Sequence, residues 1–179
     1  MRSVAPLLRG LRLTFVIWSL SVVLITLPLL AVARLVAPEA ASGSLLRRDG
    51  AVVGSRLIGQ RFSGPGHLWG RPAASPNLAP ANPALRRRVA LAAERWRAVG
   101  VARPAPDLLL DSASGVDPHI SLAAARQQLP RLARERQVPL QTLERLLARH
   151  REGPWGLRAI APVVNVLSFN LALEDQPPA

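Results

Sequence analysis

Apolar positions follow three different rhythms along this chain. The first is a solid block. Residues 13–33, LTFVIWSLSVVLITLPLLAVA, run for 21 residues without a charge. As a helix this block is about 31 Å long, the thickness of a bilayer's hydrocarbon core. Pro28 lies inside it, a residue that membrane helices accept more readily than soluble ones. Residues 1–12 carry Arg2, Arg9 and Arg12 and no acid. This bias predicts a cytoplasmic N-terminus, a single span over 13–33 and the remainder of the chain outside. Ala31-Val32-Ala33 also fits the small-x-small pattern of a cleaved signal peptide, but the block exceeds the ~7–15 apolar residues of a signal core. A retained anchor is the preferred reading.

The second rhythm is alternation. After an Ala-, Pro- and Ser-rich linker over 34–44, two β-compatible runs flank Asp49-Gly50, which predicts a hairpin. A Pro- and Gly-rich stretch over 63–82 then sustains neither a helix nor a central strand. At the far end, residues 162–173, PVVNVLSFNLAL, place Val163, Leu167, Phe169, Leu171 and Leu173 at even spacing, with Asn165 interrupting that face. This predicts a long final strand.

The third rhythm is helical. Asn82 is a cap, Pro83 suits the first helical position and Gly100 suits the end. Between them Leu85, Val89, Ala92, Trp96 and Val99 make one continuous face, with Trp96 expected in the core. Residues 107–111, DLLLD, suit a short buried strand. Ser121 opens a second helix with Leu122, Ala125, Leu129 and Leu132 on one face, and Pro130 should kink or divide it. Pro139 starts a third helix bearing Leu140, Leu143 and Leu147, which ends before Gly153-Pro154. The expected fold class is therefore α+β: one N-terminal transmembrane helix, then a mixed α/β soluble domain over 45–179 with a hairpin, three helices and a long C-terminal strand.

Charge and composition narrow the chemistry. The net charge is +12, and every basic residue except histidine is Arg. Without Lys there is no phosphate-binding P-loop lysine, no Schiff base and no Ser-Lys dyad. Without Cys there is no thiol nucleophile, zinc-thiolate site or disulfide. Aromatic residues are only 4% and Tyr is absent, so platforms for stacking bases are few. Arg86, Arg87 and Arg88 form one cluster on a helix, and nucleic acid is not an expected partner.

The densest polar stretch is Asp111 to Ser121, DSASGVDPHIS. Ser112 or Ser114 with His119 and Asp117 supplies the residue types of a serine hydrolase, the alternative function for this chain. The G-x-S-x-G elbow is missing, however, and triad members normally converge from separate segments. Asp111, Asp117 and His119 do not form the spacing of a metal site, so no metal is expected. The turn-forming Asp117-Pro118, the permissive Gly115 and the capping Ser121 instead suit a strand-to-helix connection that doubles as a contact loop.

Several longer motifs carry a resemblance. They are Arg56-Leu57-Ile58-Gly59-Gln60-Arg61-Phe62, Leu68-Trp69-Gly70-Arg71-Pro72-Ala73-Ala74, Asn77-Leu78-Ala79-Pro80-Ala81-Asn82-Pro83-Ala84-Leu85, and Val163-Val164-Asn165-Val166-Leu167-Ser168-Phe169-Asn170-Leu171-Ala172-Leu173. Together with the 111–121 loop and one N-terminal span, the chain resembles the C subunit (KdpC) family of the Kdp potassium-transporting ATPase along nearly its whole length. The resemblance implies an accessory subunit of a high-affinity, ATP-driven potassium uptake complex in the bacterial inner membrane. It implies as partners a potassium-translocating subunit, a P-type ATPase subunit and a very small membrane peptide. It also implies a catalytic chaperone role, with ATP as the ligand whose affinity for the ATPase subunit is raised. The chain lacks the phosphorylated Asp-Lys-Thr-Gly-Thr motif of such ATPases, so it is expected to be non-catalytic. At 74–78 it reads Ala-Ser-Pro-Asn-Leu where the family pattern has Ser-Gly-Gly-Ser before Asn-Leu, so the paired glycines are missing. Candidate contact residues for partner or nucleotide are Asn77, Asn82, Pro83, Ser112, Ser114, Gly115, Asp117 and His119.

Overall fold

A computed structural model describes residues 4–72, 78–153 and 162–176. The chain divides into two compact units, 1–45 and 46–179. In the first, α1 (Ala5–Ser21), a π-helical turn (Val22–Thr26) and α2 (Leu27–Val36) form one unbroken rod. A short helix, α3 (Pro38–Ala41), follows. The rod is 32 residues with a mean hydropathy of 2.5. It is long and apolar enough to cross a membrane, and none of its residues is buried. The π turn ends two residues before Pro28. Proline has no N–H to give the preceding turn, and a shift from i−4 to i−5 bonding is a recurrent way around that gap. The Leu27 N–H donates to the Val22 carbonyl in that wider register.

The second unit is an α+β domain. Its hairpin joins β1 (Leu45–Arg48) to β2 (Ala51–Ser55) through Asp49 and Gly50, whose φ values of 50° and 80° are the positive pair a two-residue type I′ turn requires. Helix α4 (Pro83–Ala98) begins where Asn82 Oδ1 accepts from the Ala84 N–H at 2.9 Å. It ends in a Schellman turn, in which the Val101 N–H reaches the Trp96 carbonyl and the Gly100 N–H reaches that of Arg97, with Gly100 at φ 92°. Trp96 is buried, as its place on the apolar stripe requires, and its indole N–H donates to the Leu108 carbonyl at 2.9 Å.

Two elements differ from the pattern-based expectation. Residues 107–111 are not a strand. Pro106 and Asp107 start a one-turn helix, α5 (Pro106–Leu109), which buries Leu108. Proline at the first helical position and an acid in the first turn outweigh the short leucine run. The long C-terminal strand is also replaced: β5 (Val163–Asn165) stops after three residues and α8 (Val166–Glu174) follows. The same residues fit a helical stripe, since Val166, Leu167, Phe169, Asn170 and Leu173 are all buried on one side. Asn165 breaks the tie. Its side chain accepts from the Ser168 N–H at 3.1 Å and caps the helix.

The remaining helices are α6 (Leu122–Arg136) and α7 (Leu140–Arg149). Helix α6 runs through Pro130 undivided and closes at Gln137, which takes the left-handed conformation at φ 53°. A second small sheet, in the order β3–β5–β4, is wholly antiparallel. It is built from β3 (His119–Ser121), β5 and β4 (Arg151–Glu152), with Ile120 opposite Val164 and Val164 opposite Arg151. The core lies between this sheet and helices α4, α6, α7 and α8, around Leu129, Leu132, Leu143, Leu147, Val164 and Phe169.

Candidate functional site

Residues 56–72 have little regular structure, so side chains from elsewhere must satisfy their backbone groups. Asn170 of α8 does this for Leu68: its Oδ1 accepts from the Leu68 N–H at 2.7 Å and its Nδ2 donates to the Leu68 carbonyl at 2.9 Å. Gln128 of α6 repeats the pattern on Trp69, with 2.9 Å in both directions. Both amides are buried. Each pairs with a peptide group as a neighbouring strand would. Arg131 completes the clasp by donating to the carbonyls of Pro65 and His67 and stacking its guanidinium 4.0 Å from the Trp69 ring centroid. Burial pushes its pKa down to about 10, partly opposed by Glu135, so it remains a cation at neutral pH.

The motif segment at 56–62 joins the 111–121 loop. The Gly59 N–H donates to the Val116 carbonyl at 2.6 Å. A Cβ at Gly59 would stand 2.6 Å from the Asp117 carbonyl oxygen, so glycine is required by close approach. Gln60 folds back on β2, accepting from the Ser55 N–H and donating to the Val53 carbonyl, each at 3.3 Å. Arg71 reaches the loop from the other motif, at 3.4 Å from Asp117 Oδ2 and 3.2 Å from the Asp111 carbonyl. Asn165 adds a further tie, donating to the Arg56 carbonyl at 2.8 Å.

Within the loop the predicted residues cluster, but not as a triad. Ser112 is buried; its Oγ lies 3.4 Å from Ser114 Oγ and accepts from the Asp117 N–H at 3.4 Å. Ser114 Oγ accepts from the Val116 N–H at 3.3 Å, and Gly115 turns the chain at φ 71°. His119 looks the other way, its Nδ1 3.5 Å from Asp117 and its Nε2 3.4 Å from Glu152. With Arg56 3.1 Å from Glu152, the result is a chain of side-chain contacts, Arg56–Glu152–His119–Asp117–Arg71. Among the described residues neither serine hydroxyl contacts His119, so the pair lacks the nucleophile–base bond of a hydrolase. A serine-directed fluorophosphonate should accordingly label neither Ser112 nor Ser114. Ser114→Ala should change stability by less than about 1 kcal/mol in a urea titration, because its hydroxyl accepts an exposed hydrogen bond.

The N–H groups of Val116, Asp117 and His119 are already taken by side-chain oxygens, and that of Ser121 by Asp107 at 2.6 Å. The carboxylates of Asp111 and Asp117 add negative charge beside them. Ser121 is a helix cap, accepting from the Ala124 N–H at 3.0 Å. Asn82 and Pro83 are the start of α4 and lie outside this loop cluster, and Asn77 lies outside the described residues. Gln128, Asn170, Arg131 and Glu152 escaped sequence reasoning. The available signal was a polar amide continuing an apolar helical stripe, at Gln128 beside Ala125 and Leu129 and at Asn170 between Val166 and Leu173.

Residues 7–175 match the family model described as KdpC, K+-transporting ATPase, c chain. The chain belongs to the KdpC family. Among KdpC relatives, the potassium-transporting ATPase KdpC subunit of Polaromonas naphthalenivorans is 45% identical, over 94% of this chain and 94% of its own. The subunit of the same name from Synechocystis is 42% identical over 93% and 96%, and that from an Anabaena strain 35% identical over 98% and 96%. The motifs that define the clasp and the loop therefore sit inside a match that spans the KdpC chain almost end to end.

Proposed function

We propose that this chain is a non-catalytic, single-pass subunit of a potassium-transporting ATPase complex that works by contact with its partner subunits. The observation that carries this reading is the construction of the 56–72 and 111–121 segments. They are held rigid by buried amides and arginines, yet they close around no paired nucleophile and base. Preorganised surface of this kind suits docking. The partners are a potassium-translocating subunit, a P-type ATPase subunit and a small membrane peptide, together with the lipid around the 5–36 helix. The contacts are made by the loop bearing Ser112, Ser114, Gly115, Asp117 and His119. The arginine bias before the span favours a cytoplasmic N-terminus and an outer domain in the bacterial inner membrane, which suits a cap over the entrance of the translocating subunit.

On this reading any rise in the ATP affinity of the complex is indirect. The chain stabilises the ATPase subunit's nucleotide-binding form through assembly and does not hold the phosphates itself. A tagged full-length chain, solubilised from membranes in mild detergent, should co-purify a potassium-dependent ATPase. Recovery of the chain alone would remove the proposal. Reporter fusions after Ala33 and at the C-terminus should both report an external position; cytoplasmic signals from both would remove the outer placement.

A further inference from the structure

Helix α4 carries a second stripe beside its core face. Arg88, Leu91, Ala92 and Arg95 follow one another at helical spacing and look onto residues 60–63 and 69–72. Between them lies an open cleft of about 460 Å³ with Trp69, Trp96 and Leu108 at its apolar base. Leu91 is 60% exposed at its edge. Four guanidiniums line it: Arg61, Arg71, Arg88 and Arg95. Two have acidic partners, Arg88 with Asp111 and Arg71 with Asp117. Arg61 and Arg95 make no ion pair among the described residues, and Arg95 is held over the Trp69 ring, 5.2 Å from its centroid.

We propose that this cleft is the docking site for an acidic, partly apolar segment of a partner subunit. The inference rests on the subunit role proposed above and adds a second contact surface to the 111–121 loop. Charge complementarity selects the occupant. Two uncompensated arginines flank an aromatic and aliphatic floor, which fits one or two carboxylates on a peptide whose neighbouring side chains are apolar. The tryptophans and arginines are also the residue types that dominate binding energy at protein interfaces. The amides of Gln128 and Asn170 hold Trp69 and its neighbour in place, so the floor is formed before binding.

The test uses the full chain expressed with its complex. A photo-crosslinking amino acid at Leu91 should capture a partner peptide that contains Asp or Glu. Arg61→Glu with Arg95→Glu should lower co-purification of the ATPase at least tenfold. Arg86→Glu with Arg87→Glu, on exposed positions outside the cleft, should lower it less than twofold. Should the charge reversal reduce the melting temperature, Arg61→Gln with Arg95→Gln serves as the milder pair, with a weaker loss in the same direction. Normal assembly of both cleft variants would overturn the docking site and leave the subunit role standing. A Leu91 crosslink to lipid alone, or to a segment without acids, would also overturn it. Failure of the wild-type chain to co-purify would instead overturn the subunit role, and this inference with it.

Discussion

Asn170→Leu should destabilise the 46–179 domain by about 2–4 kcal/mol. Asn170 is 1% exposed, and it alone satisfies both the N–H and the carbonyl of Leu68. Leucine fills nearly the same space, so the loss comes from two peptide groups left buried and unpaired, each at about 1–3 kcal/mol. In the purified full-length chain this corresponds to a fall in melting temperature on the order of 10 °C. The more diagnostic effect is local. Hydrogen exchange of peptides covering residues 63–72 should accelerate under native conditions, while helices α6 and α7 keep their protection. Loss of the clasp should also weaken assembly, because Leu68 leads directly into Trp69 and Arg71.

Phe169→Ala should cost about 3–5 kcal/mol and do so differently. Phe169 is fully buried in the centre of the core, with its ring edge-on to His150 at 6.0 Å between centroids. Truncation leaves a cavity that the surrounding helices and sheet cannot close, and no polar group loses its partner. The loss should appear as a lower urea midpoint with uniformly faster exchange across α6, α7 and α8. The two neighbouring substitutions therefore separate the packing role of α8 from its role as a clamp on the 63–72 segment. Equal, global exchange in both variants would deny the clamp.

The contrast between these neighbours also explains what the sequence could disclose. Boundaries written in local chemistry were legible: Asp49-Gly50 made the hairpin, and Asn82-Pro83 with Gly100 bounded α4. The final element was misread because 162–173 satisfies both an alternating and a helical period. The deciding interaction was the Asn165 cap, whose side-chain oxygen accepts from the Ser168 N–H three residues on. The 107–111 run was misread because its leucines outweighed Pro106 and Asp107.

The site shows the same division. The 111–121 loop was legible as a turn and helix cap, since its serine, aspartate and proline interactions are nearly all local. The clasp was not, because Gln128 and Asn170 act on backbone groups 59 and 102 residues away. A sequence pattern records that such an amide sits in an apolar stripe. It does not record which peptide the fold brings beneath it. Arg131 is similar, with its carbonyl partners Pro65 and His67 on a different segment.

The central claim is that this KdpC-family chain supports a potassium-dependent ATPase through protein contact. The most direct measurement compares potassium-stimulated ATP hydrolysis by the complex purified with the chain and by the remaining subunits prepared without it, over a range of ATP concentrations. The account predicts that activity with the chain saturates at lower ATP. Equal ATP dependence and equal activity with and without the chain would contradict it.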